Sequence, residues 1–100
     1  MKNGYKIYWT DHALKELKAT YQYLEKHWTE KEMRALSIEL ERTIQLISNN
    51  PKLFPLYNEK KVRRVSVKKY NTIYYKELKD SKIEILSFFS NRQDPKKKEL

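Results

Sequence analysis

The stretch VRRVSVKKYNTIYYKELKDSKIEILSFFS, residues 62–90, decides the fold of this chain. It is rich in β-branched and aromatic residues, which favour strands. Three such runs follow one another, at roughly 62–68, 71–78 and 82–90. Short segments with turn-forming residues, around Asn71 and Asp80, separate the runs, and connections this short join antiparallel neighbours. The pattern therefore predicts a three-stranded β-meander.

The last run, IEILSFF, is apolar at adjacent positions. Strict alternation would place Ile83 and Ile85 on one face of the strand and Leu86 and Phe88 on the other. A strand that is apolar on both faces is either covered twice or keeps one face for a partner. We therefore expect Leu86 and Phe88 to form an exposed apolar pair that binds a partner.

Two amphipathic helices are predicted before the meander. YKIYWT at the start alternates like a short strand, and Thr10 or Asp11 then caps a helix with apolar residues in steps of three and four. Thr29 and Glu32 form a plausible capping box for a second helix. The break between the helices is short, which indicates an antiparallel hairpin.

An irregular connection with two prolines, Pro51 and Pro55, ends the helical region. Its apolar side chains, Leu53, Phe54 and Leu56, are expected to pack against the hairpin. The predicted fold is one α+β domain of order βααβββ, with the helical hairpin on one face of a mainly antiparallel sheet. Its parts are a strand (1–9), the helical hairpin (10–50), the connection (51–61), the β-meander (62–90) and a basic tail (91–100).

The positive charge of the chain is concentrated in its second half. The formal net charge is +9, of which residues 51–100 contribute +8, from 14 Lys/Arg and 6 Asp/Glu. A surface of one sign raises the rate of encounter with oppositely charged partners, so we expect an acidic partner. The predicted second helix, residues 29–49, carries −1, which is the wrong sign for a DNA-recognition helix.

Composition also excludes several classes of site. The chain has no cysteine and one glycine, which excludes disulfides, thiolate sites and glycine-rich phosphate loops. We expect no metal and no cofactor, since acidic residues on the second helix alternate with basic ones as on a solvated face. No segment approaches the roughly twenty apolar residues of a membrane span, and the start lacks a signal-peptide pattern. We expect a cytoplasmic protein without membrane contact.

Catalysis without a metal requires general acid and base groups, and the chain offers few. His12 and His27 stand near opposite ends of the first predicted helix, too far apart to share a site. Arginine can stabilise phosphoryl charge, and lysine or tyrosine of perturbed pKa can move a proton. The alternative is that these are ordinary strand residues. The candidate functional residues are Arg63, Arg64, Lys69, Tyr75 and Arg92.

The order of these segments resembles toxins of the RelE/ParE superfamily, the growth-inhibiting components of type II toxin–antitoxin pairs. The resemblance covers nearly the whole chain. It rests on YKIYWTDHALKEL, YQYLEKHW, NNPKLFPLY, VRRVSVKKYNTIYYK and IEILSFFSNRQDP. It implies a compact toxin that is neutralised by the C-terminal segment of a cognate antitoxin. An acidic amphipathic tail would suit the basic half of this chain.

The resemblance leaves two cellular targets open. RelE-like relatives cleave messenger RNA on the ribosome with basic residues and usually a Tyr or His near the C-terminus, whereas ParE-like relatives poison DNA gyrase. Arg63 or Arg64 matches the family's basic strand position, and Arg92 matches the arginine after the last strand. The following QDPKKKEL contains no Tyr and no His. This ending favours the ParE-like branch, with mRNA cleavage as the alternative.

Overall fold

The computed structural model describes residues 4–27 and 29–90. Its elements follow the predicted order βααβββ, which confirms the α+β fold class. The elements are β1 (Lys6–Trp9), α1 (Asp11–His27), α2 (Glu30–Asn49), β2 (Arg63–Val67), β3 (Asn71–Leu78) and β4 (Lys82–Ser90).

The four strands form one sheet in the order β1-β4-β3-β2. β2 and β3 pair antiparallel, as do β3 and β4, so the predicted meander is confirmed. β1 pairs with β4 in parallel, which makes the sheet mixed. Both hairpin turns contain residues in the left-handed region, with φ of 58° at Lys68, 63° at Asp80 and 58° at Ser81. Aspartate tolerates this conformation better than most residues, which is one reason why Asp80 indicates a turn in the sequence.

Threonine caps both helices. The Thr10 hydroxyl accepts a hydrogen bond from the backbone N–H of Ala13 at 3.0 Å, and the Thr29 hydroxyl accepts one from the N–H of Glu32 at 3.3 Å. Each bond satisfies one of the donors that a helix leaves unpaired at its start. Neither helix, over the residues that the structure describes, is long and apolar enough to cross a membrane.

The main core lies between the helices and one face of the sheet. The helices contribute small and aliphatic residues, and all four strands contribute aliphatic or aromatic ones. Its fully or almost fully buried members are Ala13, Leu24, Leu36, Ile47, Val67, Ile73, Tyr75, Ile83, Ile85 and Phe88. Both helices thus cover the same sheet face, and the opposite face is left without a helical layer.

A β-bulge interrupts the pairing of β4 with β3. Tyr75 lies opposite Ile85, but the next residue back along β3, Tyr74, lies opposite Ser87. Leu86 is therefore the extra residue of β4. A bulge of this kind shifts the alternation of side chains along the strand that contains it.

Side-chain and backbone groups of the first helix bind the bulge. The Thr10 hydroxyl lies 3.1 Å from the carbonyl oxygen of Ile85 and 3.3 Å from that of Leu86. The Glu16 carboxylate accepts hydrogen bonds from the backbone N–H of Phe88 at 2.9 Å and from the hydroxyl of the preceding serine at 2.6 Å. These hydrogen bonds satisfy polar groups that have no partner in the sheet because the strand pairing is irregular at the bulge.

The expected exposed pair of Leu86 and Phe88 is wrong. Phe88 is 0% exposed and lies in the main core together with Ile83 and Ile85, whereas Leu86 is half-buried against a different cluster. The physical reason is the bulge, because one extra residue moves Phe88 to the helix-covered face.

The expected packing of the connection against the hairpin is correct only for Phe54, which contacts the main core. Leu53 and Leu56 are 50% and 54% exposed. The connection instead runs along the outer edge of the sheet, where Leu56 forms an isolated antiparallel bridge with Arg63 of β2.

Candidate functional site

The sheet face turned away from the helices, here called the open face, carries a second apolar cluster. Val62, Tyr74 and Phe89 are buried in it, and Tyr57 and Leu86 pack against them half-buried. None of these residues belongs to a helix, so the cluster is held by strands and by the connection alone. The open face is therefore partly apolar, as a partner-binding surface requires.

The connection folds back beside β2 and brings Tyr57 onto the open face. The backbone N–H of Tyr57 donates to the carbonyl of Val62, and the N–H of Arg64 donates to the carbonyl of Pro55 at 3.3 Å. The rings of Tyr57 and Tyr74 meet edge to face, with centroids 5.0 Å apart and an angle of 69°. Such T-shaped pairs are favourable beyond the area that they bury.

Arg64 lies over the Tyr57 ring of this pair. Its guanidinium carbon is 5.0 Å from the centroid of the Tyr57 ring, which is a cation–π contact. Beside it opens a cleft of about 490 Å³, here called the open-face cleft. It is lined by Phe54, Pro55, Arg64, Val65, Ser66, Thr72, Tyr74 and Phe89. A cation beside aromatic walls can bind a carboxylate and an apolar side chain at once.

Further charge lies on the same face toward β1. Glu84 is the cross-strand partner of both Tyr8 and Lys76, and cross-strand partners share a sheet face. The Lys82 ammonium lies 5.9 Å from the centroid of the Tyr8 ring, and this ring is 44% exposed. The open face thus combines exposed aromatic surface with basic side chains along its length.

Arg63 lies on the opposite side of β2 from Arg64. It is half-buried, pairs across the strands with Tyr75, and donates a hydrogen bond from its guanidinium to the carbonyl of Phe54 at 2.7 Å. This bond ties the connection to the sheet. The two adjacent arginines therefore serve different surfaces, although the sequence offers them as equivalent candidates.

Tyr75 is fully buried in the main core. Its hydroxyl donates to the carbonyl of Pro51 at 2.8 Å, so it anchors the start of the connection. Burial raises the pKa of Tyr75 to about 12, against an opposing effect of the nearby Arg63 charge. A phenol with this pKa keeps its proton at neutral pH and lies away from solvent, which fits a structural role.

Replacing Tyr75 by phenylalanine should change how stability depends on pH. Because the folded protein holds the phenol proton more tightly than the unfolded chain, the stabilisation is complete below pH 10 and is lost as pH rises through about 12. A shift of about two pKa units corresponds to roughly 3 kcal/mol. Urea unfolding between pH 8 and pH 12 measures it, and we expect Tyr75→Phe to lose less stability over this range than the parent.

At neutral pH the same variant should be less stable by about 1–2 kcal/mol, because the Pro51 carbonyl loses its buried donor. Tyr70→Phe, at an exposed position, is the matched control for the loss of a phenol. If the free energy of unfolding changed with pH in the same way for the parent and for Tyr75→Phe, the raised pKa of Tyr75 would be contradicted.

The structure does not bring the remaining candidate residues together. Lys69 lies in the turn between β2 and β3, with its ammonium 5.6 Å from the centroid of the Tyr70 ring. Arg92 lies outside the described residues. Arg63, Arg64, Lys69 and Tyr75 therefore occupy an edge, the open face, a turn and the core.

The two histidines both have partners on the first helix. His12 Nε2 lies 3.3 Å from Glu16 Oε1, and the His27 ring packs on Tyr23 with centroids 4.5 Å apart. Within residues 4–27 and 29–90, no group of three or more His, Cys, Asp or Glu side chains is placed to hold a metal ion.

Sequence reasoning missed Tyr57 and Phe89. Tyr57 lies in a segment without helical or strand periodicity, so the sequence pattern did not indicate where its side chain would lie. Strict alternation from Ile83 and Ile85 would place Phe89 on the helix-covered face, whereas the bulge moves it to the open face. Both line or support the cluster beside Arg64.

The chain is thus a small basic α+β protein whose helices cover one face of the sheet. A family model described as "ParE toxin of type II toxin-antitoxin system, parDE" matches residues 7–95. The chain belongs to this family of ParE toxins.

A solved structure from P. aeruginosa, titled as a chromosomal ParDE toxin–antitoxin system, has a similar fold. The TM-score is 0.67 at 18% sequence identity, over 86% of this chain and 95% of that one. The comparison with curated proteins gives no match.

Proposed function

We propose that this ParE-family toxin arrests growth by binding a cellular target and is neutralised by a cognate antitoxin that docks on the open face. The observation that carries the proposal is the open-face cleft, where Arg64 lies over Tyr57 beside a buried aromatic cluster. The proposal of a toxin with a cognate antitoxin is supported by the family, which consists of toxins of type II toxin–antitoxin systems. The similar fold of a ParDE protein supports the same architecture.

The antitoxin segment should be acidic and amphipathic. Its carboxylates would meet Arg64 and the lysines of the open face, and its apolar side chains would cover Leu86 and the exposed edge of the second cluster. Leu86 remains a proposed antitoxin contact. Phe88 does not, because it is 0% exposed in the main core.

Reversing the charge of Arg64 should weaken antitoxin binding by about thirtyfold or more. An arginine that anchors an interface typically contributes 2 kcal/mol or more, and this amount corresponds to about thirtyfold in Kd. Arg64→Glu and the control Lys31→Glu, on the exposed side of α2, change net charge equally. Titration calorimetry with the antitoxin tail peptide measures both.

Binding of the parent should also weaken with added salt without vanishing, because only the charged contacts are screened. Hydrogen exchange should show added protection in residues 82–90 when the antitoxin is bound. If Arg64→Glu binds as tightly as Lys31→Glu and exchange in β4 is unchanged, the antitoxin docks elsewhere.

We propose DNA gyrase as the cellular target. In support, the candidate acid and base groups of the described chain are dispersed, with Tyr75 in the core and the two histidines on one helix. The chain also belongs to the ParE family, and residues 93–100 contain no Tyr and no His. Binding to gyrase needs a complementary surface and no proton transfer.

Ribosome-dependent cleavage of mRNA is the second candidate. It is favoured by the exposed Arg64 beside Tyr57 and Tyr74, since an arginine and aromatic rings are groups that bind RNA. Either target would place the site of action in the cytoplasm. Inhibition of supercoiling by purified toxin and cleavage of a message in a translation extract distinguish the two.

A further inference from the structure

A second cleft, here called the basic cleft, lies at the edge of the sheet between the connection and the end of β3. Its volume is about 430 Å³. Four cationic side chains line it, and they come from the connection, β2 and the turn after β3: Lys52, Lys61, Arg63 and Lys79. Glu77 is the single carboxylate of this lining. The cleft therefore carries a formal charge of +3.

Two of the four cations are engaged within the protein. The Lys52 ammonium lies 3.1 Å from the Glu77 carboxylate, and the Arg63 guanidinium donates to the Phe54 carbonyl at 2.7 Å. The latter bond uses one nitrogen and fixes the guanidinium plane, so its other N–H groups remain as oriented donors. The local cations are thus only partly neutralised.

Lys61 and Lys79 are exposed, and none of the ion pairs found in the described chain includes them. The backbone holds Lys61 in place at a φ of 66°. Its backbone N–H donates a hydrogen bond to the carbonyl of Asn58 at 3.2 Å. The Asn58 side chain accepts a hydrogen bond from the backbone N–H of Lys60 at 2.9 Å. A turn fixed in this way places the backbone of Lys61 beside the cleft, so that only its side chain has to be ordered on binding.

The rest of the lining is aliphatic. Leu56, which is 54% exposed, and Leu78 contribute it, and among residues 4–27 and 29–90 no aromatic side chain lines the basic cleft. Single-stranded nucleic acid is normally held by aromatic stacking together with positive charge. Leucines beside cations instead complement a peptide that alternates carboxylates with aliphatic side chains.

We propose that the basic cleft is a second docking site, which binds an acidic, leucine-containing segment of a partner protein. It is separate from the open-face cleft, because the linings of the two clefts share no residue. The toxin can therefore hold an acidic segment at its edge whether or not the open face is occupied. The inference does not depend on which target the toxin inhibits.

The test uses the purified full-length chain and a fluorescein-labelled peptide of alternating glutamate and leucine as the probe. Fluorescence anisotropy is measured for the parent, for Lys61→Glu/Lys79→Glu in the cleft, and for Lys15→Glu/Lys18→Glu on the exposed surface of α1. The two variants have the same net charge. We expect the cleft variant to bind about tenfold more weakly than the surface variant.

Thermal unfolding of each variant shows whether the fold is retained, and both double variants change only exposed positions. A peptide with glutamine in place of glutamate should lose binding to the parent. Equal affinity of the two double variants would overturn the proposal, since net charge alone would then explain binding. Tighter binding of an oligothymidine strand of matched charge would overturn the assignment to a peptide.

Discussion

Phe88→Ala should lower the free energy of unfolding by about 3–5 kcal/mol, the cost of removing a large aromatic side chain from a packed core. Phe88 is 0% exposed, and its ring lies 6.5 Å from that of Trp9. The loss would be a large share of the 5–15 kcal/mol that stabilises a typical domain. Urea unfolding followed by circular dichroism measures it.

Leu86→Ala is the matched control two residues away. Leu86 is half-buried on the open face, so less apolar area is lost and we expect a cost below about 2 kcal/mol. This difference tests the bulge, because strict alternation would give the two side chains one shared environment. Equal and small losses for both variants would show that Phe88 lies on the open face and would contradict the bulge.

Sequence periodicity predicts the elements of this fold because each element has a strong local signal. Thr29 and Glu32 mark the second helix, and Asp80 marks the turn between β3 and β4. The parallel pairing of β1 with β4 has no such signal, since it joins residues such as Ile7 and Ile83 that are distant in sequence. The sequence analysis therefore predicts a mainly antiparallel sheet but does not identify this parallel pair.

Strand alternation failed at one point, the bulge at Leu86. The groups that stabilise the bulge are Thr10 and Glu16, and both are about seventy or more residues away along the chain. A local pattern cannot show that a carboxylate on the first helix will accept the N–H of Phe88. The misplaced Phe88 was therefore a consequence of tertiary contacts and not of a misread strand.

The sequence indicates which region of the chain contains the candidate site, but it does not show which residues lie together there. The excess of charge in residues 51–100 indicates β2 and its surroundings as the candidate region. The neighbours Arg63 and Arg64 then separate, because consecutive strand residues point to opposite faces. Tyr57 reaches the site through the path of an irregular connection, which no periodicity describes.

The central functional claim is that the toxin binds and inhibits gyrase. The proposed mechanism is stoichiometric binding, so it predicts that inhibition of supercoiling saturates near one toxin per gyrase site. Addition of the cognate antitoxin to the same reaction should restore activity, because the proposed antitoxin surface is the open face. In a translation extract the toxin should leave messages uncut.

Plasmid supercoiling by purified gyrase, titrated with purified toxin and then with antitoxin, is the most direct test. The account predicts loss of supercoiling at near-equal concentrations of toxin and gyrase, followed by recovery on addition of antitoxin. Unchanged supercoiling at excess toxin, together with codon-positioned cuts in the translation extract, would contradict it and identify the protein as a ribosome-dependent endonuclease.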